Sequence, residues 1–376
     1  MKIITSKNTL LIALARIQTI VEKSSIMPIT ANALLTAKDN YLTVSATNLE
    51  IGLIARYNDI TVQQEGTISV NAKKIFEIVR ELPDEQEIII NEQENYHIEI
   101  ISNTVRFNIL GLPPEDFPAF FIQETTGYSE WEAEKIKNMI DFTSFSISND
   151  ETRINIAGAY VEKGESSRIR MVTTDGYRLS MIDEDMAVSL PLTEGILIPN
   201  KGISELRKIL TDKKEEKKIL VKIIKNSLSI KIAEMEIYIR LIDKKFPEYK
   251  YIIPQPGENE VTVKTEKEKI KPALKRMSII ASENKRPVNF KLKDNQLEIS
   301  TEDSELGSVN EIIEMKEPIT KEIFFTINGR YFLDILNAID DDVIIEINMV
   351  DKNKPIVFHP VTKSNTTYII MPMMSE

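Results

Sequence analysis

The sequence predicts an α+β fold made of three tandem copies of one domain, each copy containing two β-α-β-β-β units. The first observation behind this prediction is a recurring helix start, at Asn71, Pro199 and Asn328, with spacings of 128 and 129 residues. Each start follows a short apolar strand and precedes apolar residues at helical spacing. A period near 125 residues has the size of a whole domain and is too long for a solenoid repeat.

Two further anchors keep nearly the same period. A threonine followed by a polar residue recurs at Thr47, Thr174 and Thr301, with both spacings equal to 127. An apolar residue followed by proline recurs at positions 117–118, 246–247 and 371–372, with spacings of 129 and 125. The agreement of three unrelated anchors predicts domains at 1–122, 129–254 and 255–376, with Pro- and Gly-containing breaks between them.

Each repeat has the same predicted order of elements. A first strand leads into an amphipathic helix, and alternating strands such as Tyr41–Ser45 and Gln296–Ser300 follow. A second helix and three more strands complete the repeat. Asn71 and Asn328 suit a helix N-cap, and Pro199 suits a first turn. The six predicted helices are Thr5–Glu22, Asn71–Leu82, Glu132–Ser148, Asn200–Lys213, Thr265–Glu283 and Asn328–Ile339.

Composition restricts the setting of the protein. The chain has no cysteine, which excludes disulfides and cysteine metal sites and fits a reducing compartment. Its first 21 residues have a short apolar run broken by Arg16 and Gln18, which favours a strand and helix over a signal peptide. No run of 18 apolar residues is present. We therefore expect a cytoplasmic protein with no membrane partner.

The net charge of −11 argues against nucleic acid, because phosphate binding needs a positive surface. The charges are unevenly distributed, however. The six predicted helices hold 17 Lys and Arg against 12 Asp and Glu, whereas the remainder holds 30 against 46. Solvated helix faces would explain any one helix, and a shared basic surface would explain all six.

The sequence shows little that indicates catalysis. The two histidines, His97 and His359, lie far apart in strand patterns. No glycine-rich phosphate loop is present. Three consecutive aspartates, Asp340–Asp342, are more typical of a solvated turn than of a cation site. We expect no catalytic residue, no metal and no cofactor.

Two segments have the character of binding sites. Thr173–Ser180 contains a Gly-Tyr-Arg that the equivalent steps of the other repeats lack, although an Asp-Gly turn between strands would also explain it. Tyr368–Met374 ends the chain in Ile, Met and Pro. A buried last strand explains its first residues, and an apolar groove explains the methionines, whose side chains adapt to varied partners.

The order and spacing of five motifs resemble the bacterial sliding clamps, the beta subunits of DNA polymerase III. The motifs are Leu112–Pro118, Thr174–Leu179, Lys245–Tyr249, Phe332–Ala338 and Tyr368–Met373. The resemblance covers the whole chain. It implies DNA-clamp domains in a head-to-tail homodimeric ring, with helices inside and sheets outside. It also implies a processivity factor without a catalytic site of its own.

The resemblance implies that the helices face double-stranded DNA without reading its sequence, which matches the uneven charge. Ser24 stands where the family often has arginine, so Lys23 is assigned to that contact. The expected DNA-facing residues are Lys23, Lys73, Lys74, Lys201, Arg207, Lys285 and Arg286.

The family also has a pocket for a short peptide that bears leucine and an aromatic residue. The expected partners are the DNA polymerase III catalytic subunit, the clamp loader and other repair and replication proteins with this motif. Tyr177 stands where histidine is common, and Tyr251 where arginine is common. The pocket residues implied here are Ile156, Thr174, Gly176, Tyr177, Arg178, Leu179, Pro247, Tyr251, Ile252, Ile369, Met371, Pro372 and Met373.

The resemblance places the dimer interface between the first domain of one chain and the third domain of the other. Phe107 and Ile109 on an edge strand would meet Ile279 and Ile280 on a helix of the partner. Two alternatives to a clamp are open. One is a partner-binding scaffold that does not encircle DNA, and the other is an enzyme of unknown chemistry.

Overall fold

The computed structural model describes residues 1–21, 27–84, 86–119, 127–165, 168–186, 195–213, 215–254, 261–281, 286–316, 321–341, 343–351 and 353–373. Contacts divide the chain into two compact units. The first contains Met1–Glu134 and Ser204–Leu241, and the second contains Lys135–Ile203 and Ile242–Glu376. The middle repeat therefore contributes residues to both units.

All six predicted helices are present in the described part of the chain. They are α1 (Lys7–Gln18), α2 (Ala72–Glu81), α3 (Ala133–Thr143), α4 (Asn200–Asp212), α5 (Lys267–Ile280) and α6 (Gly329–Ala338). Asn71 and Asn328 cap α2 and α6 as expected, because their side chains accept from backbone N–H groups of the first turn. The prediction for α3 was too long: the Thr143 hydroxyl donates to Met139 O, and the helix ends there.

The strands follow the predicted order, with one extra strand in the first repeat. The first repeat contains β1 (Lys2–Ser6), β2 (Asn32–Lys38), β3 (Tyr41–Thr47), β4 (Ile51–Tyr57), β5 (Ile60–Gln64), β6 (Gly66–Asn71), β7 (Glu87–Glu92), β8 (His97–Ser102) and β9 (Val105–Leu110). The second contains β10 (Ser129–Glu132), β11 (Gly158–Lys163), β12 (Arg168–Thr174), β13 (Arg178–Asp185), β14 (Ile196–Pro199), β15 (Lys218–Ile224), β16 (Ser227–Ile232) and β17 (Met235–Arg240). The third contains β18 (Val261–Glu266), β19 (Pro287–Lys293), β20 (Gln296–Asp303), β21 (Gly307–Glu314), β22 (Ile323–Asn328), β23 (Ile344–Met349), β24 (Ile356–Pro360) and β25 (Thr366–Ile370).

Neighbouring repeats share sheets. The first unit has an eight-stranded sheet in the order β10-β15-β16-β17-β4-β3-β2-β6, and the second has one in the order β14-β11-β12-β13-β25-β24-β23-β18. The other two sheets are β5-β1-β7-β8-β9 and β21-β20-β19-β22. All of the pairings are antiparallel. The α+β class and the threefold repetition of the element order are thus confirmed.

The two junctions between repeats, β17 with β4 and β25 with β13, have the same register. Gly52 lies opposite Tyr238 at the first, and Leu179 lies opposite Ile369 at the second. Gly52 and Leu179 are equivalent, because each also lies opposite the last threonine of the preceding strand. The second junction carries most of the predicted peptide pocket.

Each unit has a helix-against-sheet core. Leu10, Leu14 and Ile17 on α1 are fully buried in the first unit, and Ile270 and Leu274 on α5 are buried in the second. Each such side chain contributes about 1.5–3 kcal/mol when removed from water. Among the described residues, no helix is long and apolar enough to cross a membrane.

Candidate peptide groove and DNA-facing helices

The turn between β12 and β13 is fixed by four hydrogen bonds from two side chains. The Thr174 hydroxyl donates to Arg178 O at 2.6 Å and accepts from Gly176 N at 3.0 Å. Asp175 Oδ1 accepts from the backbone N–H groups of Tyr177 and Arg178 at 2.9 and 3.0 Å. Gly176 has φ +92°, a conformation that favours glycine. The turn therefore holds the side chains of Tyr177 and Arg178 in defined directions.

The Arg178 side chain lies inward, although the sequence predicts it at the polar edge of the pocket. Its Nε donates to Asp175 Oδ2 at 2.9 Å, its Nη1 to Asp334 Oδ2 at 2.8 Å and its Nη2 to Phe145 O at 2.6 Å. The guanidinium also lies 4.4 Å from the ring centroid of Tyr331. Burial, and next the charge of Asp175, raise the pKa of Tyr331, so its hydroxyl stays neutral.

Beside this turn, the structure brings the buried pocket residues together. Ile156, Leu179 and Ile369 belong to one buried apolar cluster in the second unit. The other buried members of that cluster are Val172, Met181, Leu197, Phe246, Tyr249 and Val357. The rings of Phe246 and Tyr160 stack with a centroid distance of 4.8 Å, which stiffens this cluster, here called the floor of the candidate groove.

Tyr249 anchors the floor through its hydroxyl, which donates to Glu162 and accepts from Arg170. Burial, with the bond to Glu162, raises the pKa of Tyr249. Arg170 is in turn held by both carboxylate oxygens of Asp183. The apolar cluster therefore has a satisfied polar network at one end, which favours a single arrangement.

The segment after β25 forms a bridge between the second and third repeats. Met371 N donates to Tyr177 O at 2.8 Å, and Met373 N donates to Thr326 O at 2.7 Å. Met371 is 37% exposed, and Pro372 and Met373 are half-buried. The side chains of this segment are thus available to a ligand, while its backbone is held at both ends.

The remaining predicted pocket residues are exposed or half-buried. Tyr177 is 62% exposed and Tyr251 is 89% exposed, so both rings are accessible. Ile252 is exposed and Pro247 is half-buried. The candidate site thus combines a buried apolar cluster with exposed aromatic and methionine side chains, a composition that suits an extended peptide with apolar anchors.

Comparison with known proteins gives the same assignment over the whole chain. Models of the DNA polymerase III beta subunit match in order: the N-terminal domain at residues 1–121, the central domain at 130–248 and the C-terminal domain at 250–374. The chain belongs to the DNA polymerase III beta subunit family. Its function is that of a DNA sliding clamp, and the family is a family of processivity factors.

Individual relatives agree with this assignment. The beta sliding clamp of Vibrio cholerae is 29% identical over 361 residues, which cover 92% of each chain. That of Salmonella typhimurium is 28% identical over 356 residues, also 92% of each. The solved DnaN sliding clamp of Bartonella birtlesii, bound to griselimycin, is 25% identical with a TM-score of 0.93 and full coverage of both chains.

The positively charged helix residues are the candidates for contact with DNA. The six observed helices hold 16 Lys and Arg against 8 Asp and Glu, a larger excess than the predicted helices gave. Lys73, Lys74, Lys201 and Arg207 are exposed on α2 and α4. Arg286 is half-buried, and Lys23 and Lys285 lie outside the described residues. Lys275 on α5, which the sequence-based prediction does not include, is exposed as well.

The predicted interface residues lie on a sheet edge and on a helix, as expected. Phe107 and Ile109 are half-buried on β9, the edge strand of the five-stranded sheet. Ile279 on α5 is 72% exposed and Ile280 is half-buried. Leu110, 66% exposed at the end of β9, was not predicted. Ile279 and Leu110 are thus exposed apolar side chains, and β9 is an edge strand among the described residues.

Sequence reasoning also missed the residues of the third repeat that hold Arg178 and the segment after β25. Asp334 and Tyr331 bind Arg178, and Thr326 binds the C-terminal segment. The repeat spacing offered a signal for Asp334, because Glu77 and Glu205 stand at the same step of the second helix in the other repeats.

Proposed function

We propose that the chain closes as a head-to-tail homodimeric ring around duplex DNA and has no catalytic site of its own. In the cytoplasm it would tether the DNA polymerase III catalytic subunit, the clamp loader and other replication and repair proteins through the groove beside Tyr177. The observation that carries this proposal is the pattern of paired and unpaired sheet edges.

The repeat leaves two complementary edges. β4, β13 and β21 are equivalent strands, as are β9, β17 and β25. Within the chain β4 pairs with β17 and β13 pairs with β25, which leaves β21 and β9 at the edges of their sheets. Two copies arranged head to tail would pair β9 of each with β21 of the other. That arrangement covers both edges, which are otherwise prone to aggregation.

The repeat also predicts the register of this seam. Val309 lies opposite Thr301, so it is equivalent to Gly52 and Leu179. In each repeat, the cross-strand partners can be traced from the residue before the first helix, across the sheet, to the last strand. This tracing shows that Asn108, Tyr238 and Ile369 occupy equivalent positions. Asn108 of one copy should therefore lie opposite Val309 of the other.

A cysteine cross-link tests the seam, since the natural chain has no thiol. Asn108→Cys with Val309→Cys should form a covalent dimer on mild oxidation, because opposite residues on antiparallel strands lie within disulfide range. The control pair, Asn108→Cys with Glu311→Cys, is displaced by two residues and should cross-link poorly. Equal yields, or a better yield from the control, would refute the register.

Charging the seam should separate the copies. Ile279 is 72% exposed, so Ile279→Asp should fold normally but place a charge in the interface. Light scattering should then report the mass of a monomer. A dimer mass unchanged from the wild type would remove Ile279 from the seam.

Retention on circular DNA distinguishes a ring from a scaffold. The protein is loaded onto a nicked plasmid with a clamp loader and ATP, isolated in moderate salt, and the circle is then cut once. Loss on cutting means topological linkage, whereas equal retention on circle and line means ordinary affinity for phosphates. No retention on either, with peptide binding intact, would favour a scaffold that does not encircle DNA.

The groove would bind a short extended peptide carrying leucine and an aromatic residue. Burying one leucine contributes about 1.5–3 kcal/mol, which corresponds to weak binding from that anchor alone. Weak single anchors suit exchange among several partners. A fluorescein-labelled peptide followed by polarisation should bind, and replacing its leucine with alanine should weaken binding at least tenfold.

A further inference from the structure

We propose that Arg178 is a positioning residue: by binding Asp334 it sets the spacing between the β12–β13 turn and α6, next to the segment after β25 that belongs to the candidate groove, and it does not contact the peptide. This inference rests on the proposed peptide binding at the groove. It assigns to Arg178 a role different from the polar pocket edge that the sequence predicts.

The first argument is that each nitrogen of the guanidinium already donates one hydrogen bond. Each of its three nitrogens donates to a different group: Asp175 Oδ2, Asp334 Oδ2 and Phe145 O, at 2.6–2.9 Å. The side chain is only 10% exposed. A planar guanidinium held at all three nitrogens and largely buried is fixed in place and presents little surface to a peptide.

The second argument is that Asp334 is equally fixed. Its Oδ2 accepts from Arg178, and its Oδ1 forms an ion pair at 3.0 Å with Arg330 Nε, one turn earlier on α6. Tyr331, on the same helix, stacks on the guanidinium. Arg178 thus joins the β12–β13 turn of the second repeat to α6 of the third with a defined geometry.

The third argument links this joint to the groove. Tyr177 O, adjacent to Arg178, accepts from Met371 N, and Thr326 O on β22 accepts from Met373 N. β22 continues through Asn328 directly into α6. The segment after β25 therefore spans from the β12–β13 turn to β22, and Arg178 and Asp334 join the same turn to the helix that follows β22. The length of that ion pair therefore controls how the segment is held.

The first junction shows that the fold does not require this pair. Ile51 stands at the position of Arg178 and is buried. Glu205, at the position of Asp334, accepts instead from the Thr19 hydroxyl at 2.7 Å. The same backbone junction forms without an arginine, so the arginine and its acid serve the feature that differs, which is the groove.

The test is to change Asp334, which the proposal places outside the peptide contact. Asp334→Asn keeps the shape and removes the charge. We expect about tenfold weaker binding of the labelled leucine- and aromatic-containing peptide by Asp334→Asn and by Arg178→Ala. The double variant should bind no more weakly than Arg178→Ala alone, because the two residues act as one unit. Glu205→Gln, at the equivalent helix position, is the matched control and should bind like the wild type.

Hydrogen exchange in the peptide-free protein provides a second reading. Asp334→Asn should speed exchange at the amides of Met371 and Met373 by at least tenfold, and Glu205→Gln should not. Normal peptide affinity in Asp334→Asn, with weak binding in Arg178→Ala, would mean that Arg178 contacts the peptide and would overturn the proposal. If the wild type binds no peptide, the proposed pocket fails, and unchanged exchange in Asp334→Asn would then overturn the positioning role by itself.

Discussion

The β4–β17 and β13–β25 junctions have nearly the same backbone and very different side chains. At the first, the Thr47 hydroxyl donates to Ile51 O and accepts from Leu49 N, while Asn48 Oδ1 accepts from the N–H groups of Glu50 and Ile51. The turn beginning at Thr174 makes the same four bonds. The bond from Arg240 N to Glu50 O likewise corresponds to that from Met371 N to Tyr177 O.

Three consecutive side chains of the turn differ in chemical class. Leu49, Glu50 and Ile51 at the first junction are replaced by glycine, tyrosine and arginine at the second. At the first junction, polar contacts instead join α1 to α4. The Thr19 hydroxyl at the end of α1 donates to Glu205, and Arg16 forms an ion pair with Asp212 at 3.1 Å. The comparison shows that the turn itself belongs to the repeated fold, and that the candidate site arises from the residues placed on it.

The largest expected effect on peptide binding comes from removing the segment that follows β25 at the second junction. Deleting Met371–Glu376 removes the backbone hydrogen bonds to Tyr177 O and Thr326 O. It also removes the side chains of Met371 and Met373 from the candidate groove. Binding of the labelled peptide should weaken more than 100-fold by polarisation, since about 3 kcal/mol or more of apolar contact is lost. Light scattering on the same protein should still give the dimer mass.

That prediction separates the groove from the seam. A truncated protein that binds the peptide normally would exclude the C-terminal segment from the site. A truncated protein that becomes monomeric would place the segment in the dimer interface instead.

A smaller effect, on the free energy of unfolding, comes from substituting the third residue of the turn, and its sign should differ between the two junctions. Gly176 has φ +92° and Leu49 has φ +73°. Gly176→Ala should destabilise the protein by about 1–2 kcal/mol, because a side chain is strained in this region. Leu49→Gly should relieve that strain, and after the entropic cost of glycine it should leave stability unchanged or raised by up to about 1 kcal/mol. Urea unfolding followed by circular dichroism measures both, and destabilisation by both would contradict the argument.

How much of this could be predicted from sequence depends on the range of the interactions. The helix starts were found because Asn71 and Asn328 act within one turn of the chain. The fused sheets were not predicted, because an edge such as β4 finds its partner β17 only in the folded repeat. Asp334 was missed as the partner of Arg178 because the two are 156 positions apart.

The smallest expected effect, and an equal one at both junctions, comes from the hydroxyl that begins each turn. Thr47→Val and Thr174→Val keep the branched shape but leave one carbonyl and one N–H without their partner, which should cost about 1 kcal/mol each. Thr47→Ser and Thr174→Ser retain the hydroxyl and are the matched controls. The valine variants should agree within about 0.5 kcal/mol in urea unfolding if the turn is a property of the repeat. Only Thr174→Val should also weaken peptide binding, by about threefold, because only its turn holds Met371. An equal loss of binding from Thr47→Val would show that the two junctions are coupled and that the groove does not depend on its own turn alone.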